Sequence, residues 1–239
     1  MRLANRRRAL TMASIASLLM LGAGPTFPVP AQAAPGPAFV GASVGPKASG
    51  GTLTVATPPG TAAGDVLIAG VAEHEVGEIT APEGWTLIRH DKVDRDIWLW
   101  AWYRVAGAAE PPSYAWQVPD QAANGAILAY RGADTVQPVV TSAGQANAGN
   151  STRSIQVPSM DVGPVSPTML VMLATVEGPT PNRITPPAGF TERTERAVHP
   201  STESSDMLFT ATGATGPKTA EADTAASSVG IMLALRPAG

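Results

Sequence analysis

Apolar residues in this chain come in short runs separated by Gly- and Pro-containing breaks, and no window holds an apolar period of about 3.6 residues over three turns. That pattern predicts strands throughout. They are expected over 39–44, 52–57, 66–73, 86–90, 97–105, 114–118, 125–130, 139–142, 154–157, 169–176, 191–195, 207–211, 218–222 and 229–235. Pro-Pro pairs at 58–59, 111–112 and 186–187 punctuate them. The run 97–105 is the most distinctive. Trp98, Trp100 and Trp102 fall at alternate positions and would share one strand face. Leu99, Ala101, Tyr103 and Val105 would line the other. Two apolar faces describe a central strand, with one face in a core and the other covered or used for contact.

The pattern also repeats. Pro82-Glu83-Gly84-Trp85-Thr86 returns as Pro187-Ala188-Gly189-Phe190-Thr191, an offset of 105 residues. Gly125-Ala126-Ile127-Leu128-Ala129-Tyr130-Arg131 returns as Gly230-Ile231-Met232-Leu233-Ala234-Leu235-Arg236 at the same offset, as does Pro112 at Pro217. A tandem duplication is expected, with halves at about 39–137 and 138–239. Asp96-Ile97-Trp98-Leu99 aligns with Asp206-Met207-Leu208-Phe209, which makes 199–205 a longer loop and places Leu208, Thr210 and Thr212 opposite the tryptophans. The expected fold class is all-β, a two-sheet β-sandwich of jelly-roll or Greek-key type in which the two halves share sheets. Two tandem sandwiches are the alternative.

Residues 1–33 read differently. Arg2, Arg6, Arg7 and Arg8 precede an apolar run from Ala9 to Gly24, and Ala31-Gln32-Ala33 has the small-residue spacing of a cleavage site. The run falls short of the ~20 residues a membrane span needs. A secretory signal peptide removed after Ala33 is expected, followed by a short linker over 34–38 and an extracellular sandwich over 39–239. Removal would take four arginines and no acid, moving the net charge from −3 to −7. A mildly acidic surface argues against nucleic-acid partners. The chain has no cysteine, which excludes a disulfide scaffold and thiolate metal ligands.

A resemblance then emerges from residues in order. These are Gly64-Asp65-Val66-Leu67-Ile68-Ala69, the Pro82–Thr86 turn, Tyr103-Arg104-Val105-Ala106, Glu110-Pro111-x-Ser113-Tyr114 and Tyr130-Arg131-Gly132-Ala133-Asp134. With 186–193 and the closing Leu235-Arg236-Pro237, the chain resembles a widespread family of secreted bacterial modules of roughly this length, often fused to other domains. The resemblance implies a jelly-roll-type β-sandwich. It implies no established activity and no catalytic residues.

Chemistry-bearing motifs are sparse. Gly41-Ala42-Ser43-Val44-Gly45 spells a nucleophile elbow, but Pro46 and the glycines that follow cannot start the helix that motif requires. His74-Glu75-Val76-Gly77-Glu78 lacks the second histidine of a zinc-protease helix. His74, His90 and His199 are distant in sequence and are read as loop or strand-end residues, with no metal assigned to them. Asp91, Asp94 and Asp96 could offer calcium oxygen ligands, but Lys92 and Arg95 sit among them, and a solvated turn is favoured with no cofactor. Asn150-Ser151-Thr152 is formally a glycosylation acceptor.

The aromatic residues are left. Trp98, Trp100 and Trp102, with Tyr103, Trp85 and Trp116, are the candidate ligand contacts, because aromatic faces stack on sugar rings. The competing reading is that the indoles fill a core. A secreted, non-catalytic binding module for carbohydrate or a cell-surface polymer is therefore expected. A self-associating extracellular structural protein and a polysaccharide hydrolase or lyase are the alternatives, the last needing two carboxylates across a cleft.

Overall fold

The computed structural model describes residues 35–239 except 47, 76 and 150. The signal peptide and Asn150 predictions lie outside the described residues. Among those residues there are fourteen strands and no helix: β1 (Ala38–Val44), β2 (Ala48–Ala56), β3 (Val66–Glu75), β4 (Thr86–Val93), β5 (Asp96–Val105), β6 (Ser113–Arg131), β7 (Val139–Asn147), β8 (Ser154–Val157), β9 (Thr168–Val176), β10 (Ile184–Thr185), β11 (Thr191–Arg196), β12 (Ser201–Phe209), β13 (Lys218–Ala222) and β14 (Ser228–Leu235). The protein is all-β, an antiparallel sandwich, as the apolar pattern predicts.

Topology carries the duplication. The first sheet runs β1-β6-β3-β5-β4 with β2 paired to β6, and the second runs β7-β14-β9-β12-β11. These are the same order, strand for strand. A small third sheet, β10-β13-β8, does in the second half what β2 and the first part of β6 do in the first. β6 serves two layers: residues 113–118 and 122–123 pair with β2, whereas 126–131 pair with β1 and 123–130 with β3.

The halves do not share sheets, which corrects the sequence-based expectation. Every ladder between strands stays within one half, and among the described residues the one β-bridge across halves is Ala133 to Pro237. What the halves share is a core. Val66, Ile68, Leu99 and Leu128 of the first sheet pack on Val171, Leu173, Ile231 and Leu233 of the second. Two further cores lie outside this one. Leu53, Val55, Tyr114 and Trp116 cover the outer face of the first sheet, and Ile155, Val157, Ala220 and Ala222 cover that of the second. The result is two sandwiches back to back over a common apolar layer, joined in one compact unit from 34 to 239.

Two pairs of glycines show why the repeat signature survives. Gly84 (φ 83°) and Gly189 (φ 85°) occupy the third position of equivalent turns, closed by Trp85 N–H to Pro82 O at 3.3 Å and Phe190 N–H to Pro187 O at 3.0 Å. Only glycine takes that positive φ without strain. Gly125 and Gly230 lie where each covering layer crosses its main sheet. A Cβ on Gly125 would stand 3.0 Å from Leu53, and one on Gly230 would stand 2.8 Å from Val157.

Candidate functional site

The aromatic stripe is the first candidate, and it is buried. Trp98, Trp100 and Trp102 are 8%, 4% and 3% exposed, and Trp85, Tyr114 and Trp116 are buried with them. The indoles stack along the strand, with centroids 6.0 Å apart between Trp98 and Trp100 and 5.6 Å between Trp100 and Trp102. Trp85 closes against Tyr114 and Trp116. At the rim, Lys92 Nζ lies 4.2 Å from the Trp98 ring centroid, and the His90 ring meets Trp100 edge-on with centroids 4.2 Å apart. Tyr103 points to the opposite face, half-buried at the margin of the shared core. The expected contact set is thus divided between two cores, and its tryptophans form no surface platform. The physical reason is the covering layer of β2 and β6, whose apolar side chains need the same face.

The register also corrects which residues replace the tryptophans in the second half. Val71 pairs with Gly125 and Trp100, and Ala174 pairs with Gly230 and Glu203. Since Gly125 and Gly230 are matched, the counterparts of Trp98, Trp100 and Trp102 are Ser201, Glu203 and Ser205, not Leu208, Thr210 and Thr212. The segment expected as a loop before residue 207 is the buried front of β12. Its polar sequence hid it from the apolar pattern. Flanking ladders to β9 and β11 make it a strand.

Burial has consequences for these polar groups. Glu203 is 1% exposed, and desolvation pushes its carboxyl up to about 8, with Glu192 and Glu195 adding repulsion. Asp206, the counterpart of Tyr103, faces the shared core. It accepts hydrogen bonds from Arg193 Nε and Nη2, both at 2.9 Å, and from Tyr130 Oη at 3.0 Å. Burial first, then the Asp206 charge, raises the Tyr130 hydroxyl well above its ordinary range.

The histidines behave differently from expectation. His90 stays on β4, but His74 and His199 meet, with ring centroids 4.5 Å apart at 62°. Glu177 lies between them. Its Oε1 is 3.6 Å from His74 Nε2 and in close contact with His199 Nε2. His74 is held by the ladder of β3 to β5, opposite Ile97. Glu177 follows β9 directly; its N–H donates to Ser227 O at 2.9 Å, and its carbonyl accepts from Asn182 Nδ2 at 3.2 Å. The turn carrying His199 is pinned on both sides by Asn124 Nδ2, which donates to Val198 O at 3.4 Å and to Pro200 O. Three anchored elements from both halves therefore aim one oxygen and two nitrogens at a common point. On the opposite face of β3, level with Trp98, the buried Glu73 carboxyl is pushed up to about 7 by desolvation, and neither oxygen has a hydrogen-bond partner among the described residues.

The remaining motifs do not assemble. Gly41–Val44 lies within β1, and Gly45 N–H donates to Gly125 O at 2.8 Å, with no helix following. Asp91 is claimed by Arg89 at 2.6 and 2.8 Å, and Asp94 by Lys92 at 2.8 Å, so these carboxylates face cations of their own hairpin. At the end of the molecule marked by the 57–65 and 106–112 loops, an open depression of about 340 Å³ is lined by Thr57, Pro58, Thr61, Gly107, Glu110 and Pro111. Glu110 is fixed there by Arg104 at 3.1 and 3.2 Å and by the Gly107 N–H at 2.5 Å. No helix among the described residues is long and apolar enough to cross a membrane. No family model, no curated protein and no solved structure matches this chain.

Proposed function

We propose that this chain is an exported, non-catalytic binding module for carbohydrate or another cell-surface polymer, and that it engages its ligand through end loops. The observation that carries this reading is the depression of about 340 Å³ between the 57–63 and 107–112 loops. That size falls at the small end of the range for ligand pockets. Its lining offers hydroxyls, turn backbone and a Glu110 carboxylate already neutralised by Arg104. Such a lining suits a neutral polyol held by hydrogen bonds. Ring stacking has no part in it, because the tryptophans lie in the outer core of the first half.

The test is a titration of the full chain with a panel of soluble polysaccharides, read by calorimetry. One glycan is expected to bind, and Ala108→Trp, which fills the mouth of the depression, is expected to weaken it at least tenfold while leaving the thermal midpoint unchanged. Binding that Ala108→Trp leaves intact would remove the depression from the reading. Concentration-dependent oligomers with no glycan bound would favour the self-associating alternative.

A further inference from the structure

We propose that His74, Glu177 and His199 form a site for one divalent transition ion of the zinc class, shared between the two halves of the molecule. The proposal does not depend on the polymer-binding reading.

The geometry is that of ligands around an ion. Atoms held about 2.0–2.1 Å from a tetrahedral metal lie ~3.3 Å from one another. The His74 Nε2 to Glu177 Oε1 separation is 3.6 Å, and one ligand atom from each of the three residues fits within 4.8 Å of the others. Both imidazoles present the same nitrogen, Nε2, to the same carboxylate oxygen. An ion would enter by opening the close His199 Nε2–Glu177 Oε1 contact to ligand spacing, a side-chain adjustment on backbones that β3, the Asn182-held end of β9 and the Asn124-held turn before β12 already fix.

The donor set selects the class of ion. Two imidazole nitrogens with one carboxylate suit zinc, copper, nickel or cobalt, whereas calcium takes six to eight oxygens. Among the described residues the donor set is three, and a tetrahedral ion would take one further ligand. Solvent reaches the site: the side chains of His74, Glu177 and His199 are 25%, 14% and 30% exposed. Because His74 belongs to the first half and the other two to the second, the bound ion would tie the halves together and stabilise the folded state by mass action.

The test uses the untagged full chain stripped with chelator. Calorimetry with Zn²⁺ alone is expected to show one ion bound with micromolar or tighter affinity. Saturating Zn²⁺ should raise the thermal midpoint by roughly 5–10 °C. Co²⁺ should give the visible absorption of a low-coordinate site, discharged by Zn²⁺ and unaffected by Ca²⁺. His74→Ala and His199→Ala should each weaken Zn²⁺ at least 30-fold, and His90→Ala should not. The wild-type Co²⁺ spectrum and midpoint shift decide the matter even if a variant fails to fold. Absence of Zn²⁺ uptake and of any midpoint shift in the wild type would overturn the proposal. So would unchanged affinity in a folded His74→Ala/His199→Ala double variant.

Discussion

The two halves share one strand order but fill their outer cores in opposite ways. In the first, Trp98, Trp100 and Trp102 stack under β2 and the front of β6. In the second, the buried Ser201, Glu203 and Ser205 occupy the matching positions on β12, which packs near β10 of the small third sheet. Met172, Met232, Ala174 and Ala234 fill much of that core, and the partly buried Phe190 and Phe209 pack against it, with no indole among them. The lesson is that the ladder order is set by the inner layer, where both halves bury aliphatic faces against each other. The outer layer tolerates large changes in volume and polarity.

Cutting into the aromatic side should show the largest effect. Trp100→Ala removes an indole flanked by two others and by His90, and is expected to cost about 3–5 kcal/mol in denaturant unfolding. A cost below about 1 kcal/mol would mean that the stack contributes little and that the halves are more alike than their composition suggests.

The polar side should reveal itself through pH. Glu203 has a folded-state pKa raised from 4.5 to about 8, so its contribution to stability is fully present below the unfolded value and is lost as pH rises through about 8. Wild-type stability should decline over that window by an amount on the order of a few kcal/mol. Glu203→Gln should flatten the slope, read from urea midpoints between pH 4.5 and 8.5. An equal slope in the variant would place the titrating group elsewhere.

The smallest effect tests the equivalence of the halves. Gly125→Ala and Gly230→Ala each push a methyl into a covering layer, at 3.0 Å from Leu53 and 2.8 Å from Val157 respectively. Each should cost about 1–3 kcal/mol, the second slightly more. If only one variant loses stability, the two crossings are not the same structural device.

Much of this fold was legible in the chain. The short apolar runs, the Pro-x-Gly-aromatic turns and the repeated Gly125 and Gly230 segments mark strands and a duplication, because local backbone requirements leave local traces. The front of β12 was not legible. Ser201-Thr202-Glu203-Ser204-Ser205-Asp206 has no apolar alternation, and its place between β11, its hairpin partner, and the more distant β9 comes from ladders its own side chains do not announce. The site was still less so. His74 and His199 lie on different halves, and only the back-to-back packing brings them to Glu177.

The sequence by itself determined the strand class, the turn chemistry and the two apolar faces of β5, since each depends on neighbours a few residues apart, and the repeat, since such local runs recur. Tertiary structure alone decided that the tryptophans are core, that the halves share a core and not a sheet, and that two histidines and a glutamate converge. Those outcomes depend on which faces meet across distant segments, and a face has no partner until the whole chain has closed on it.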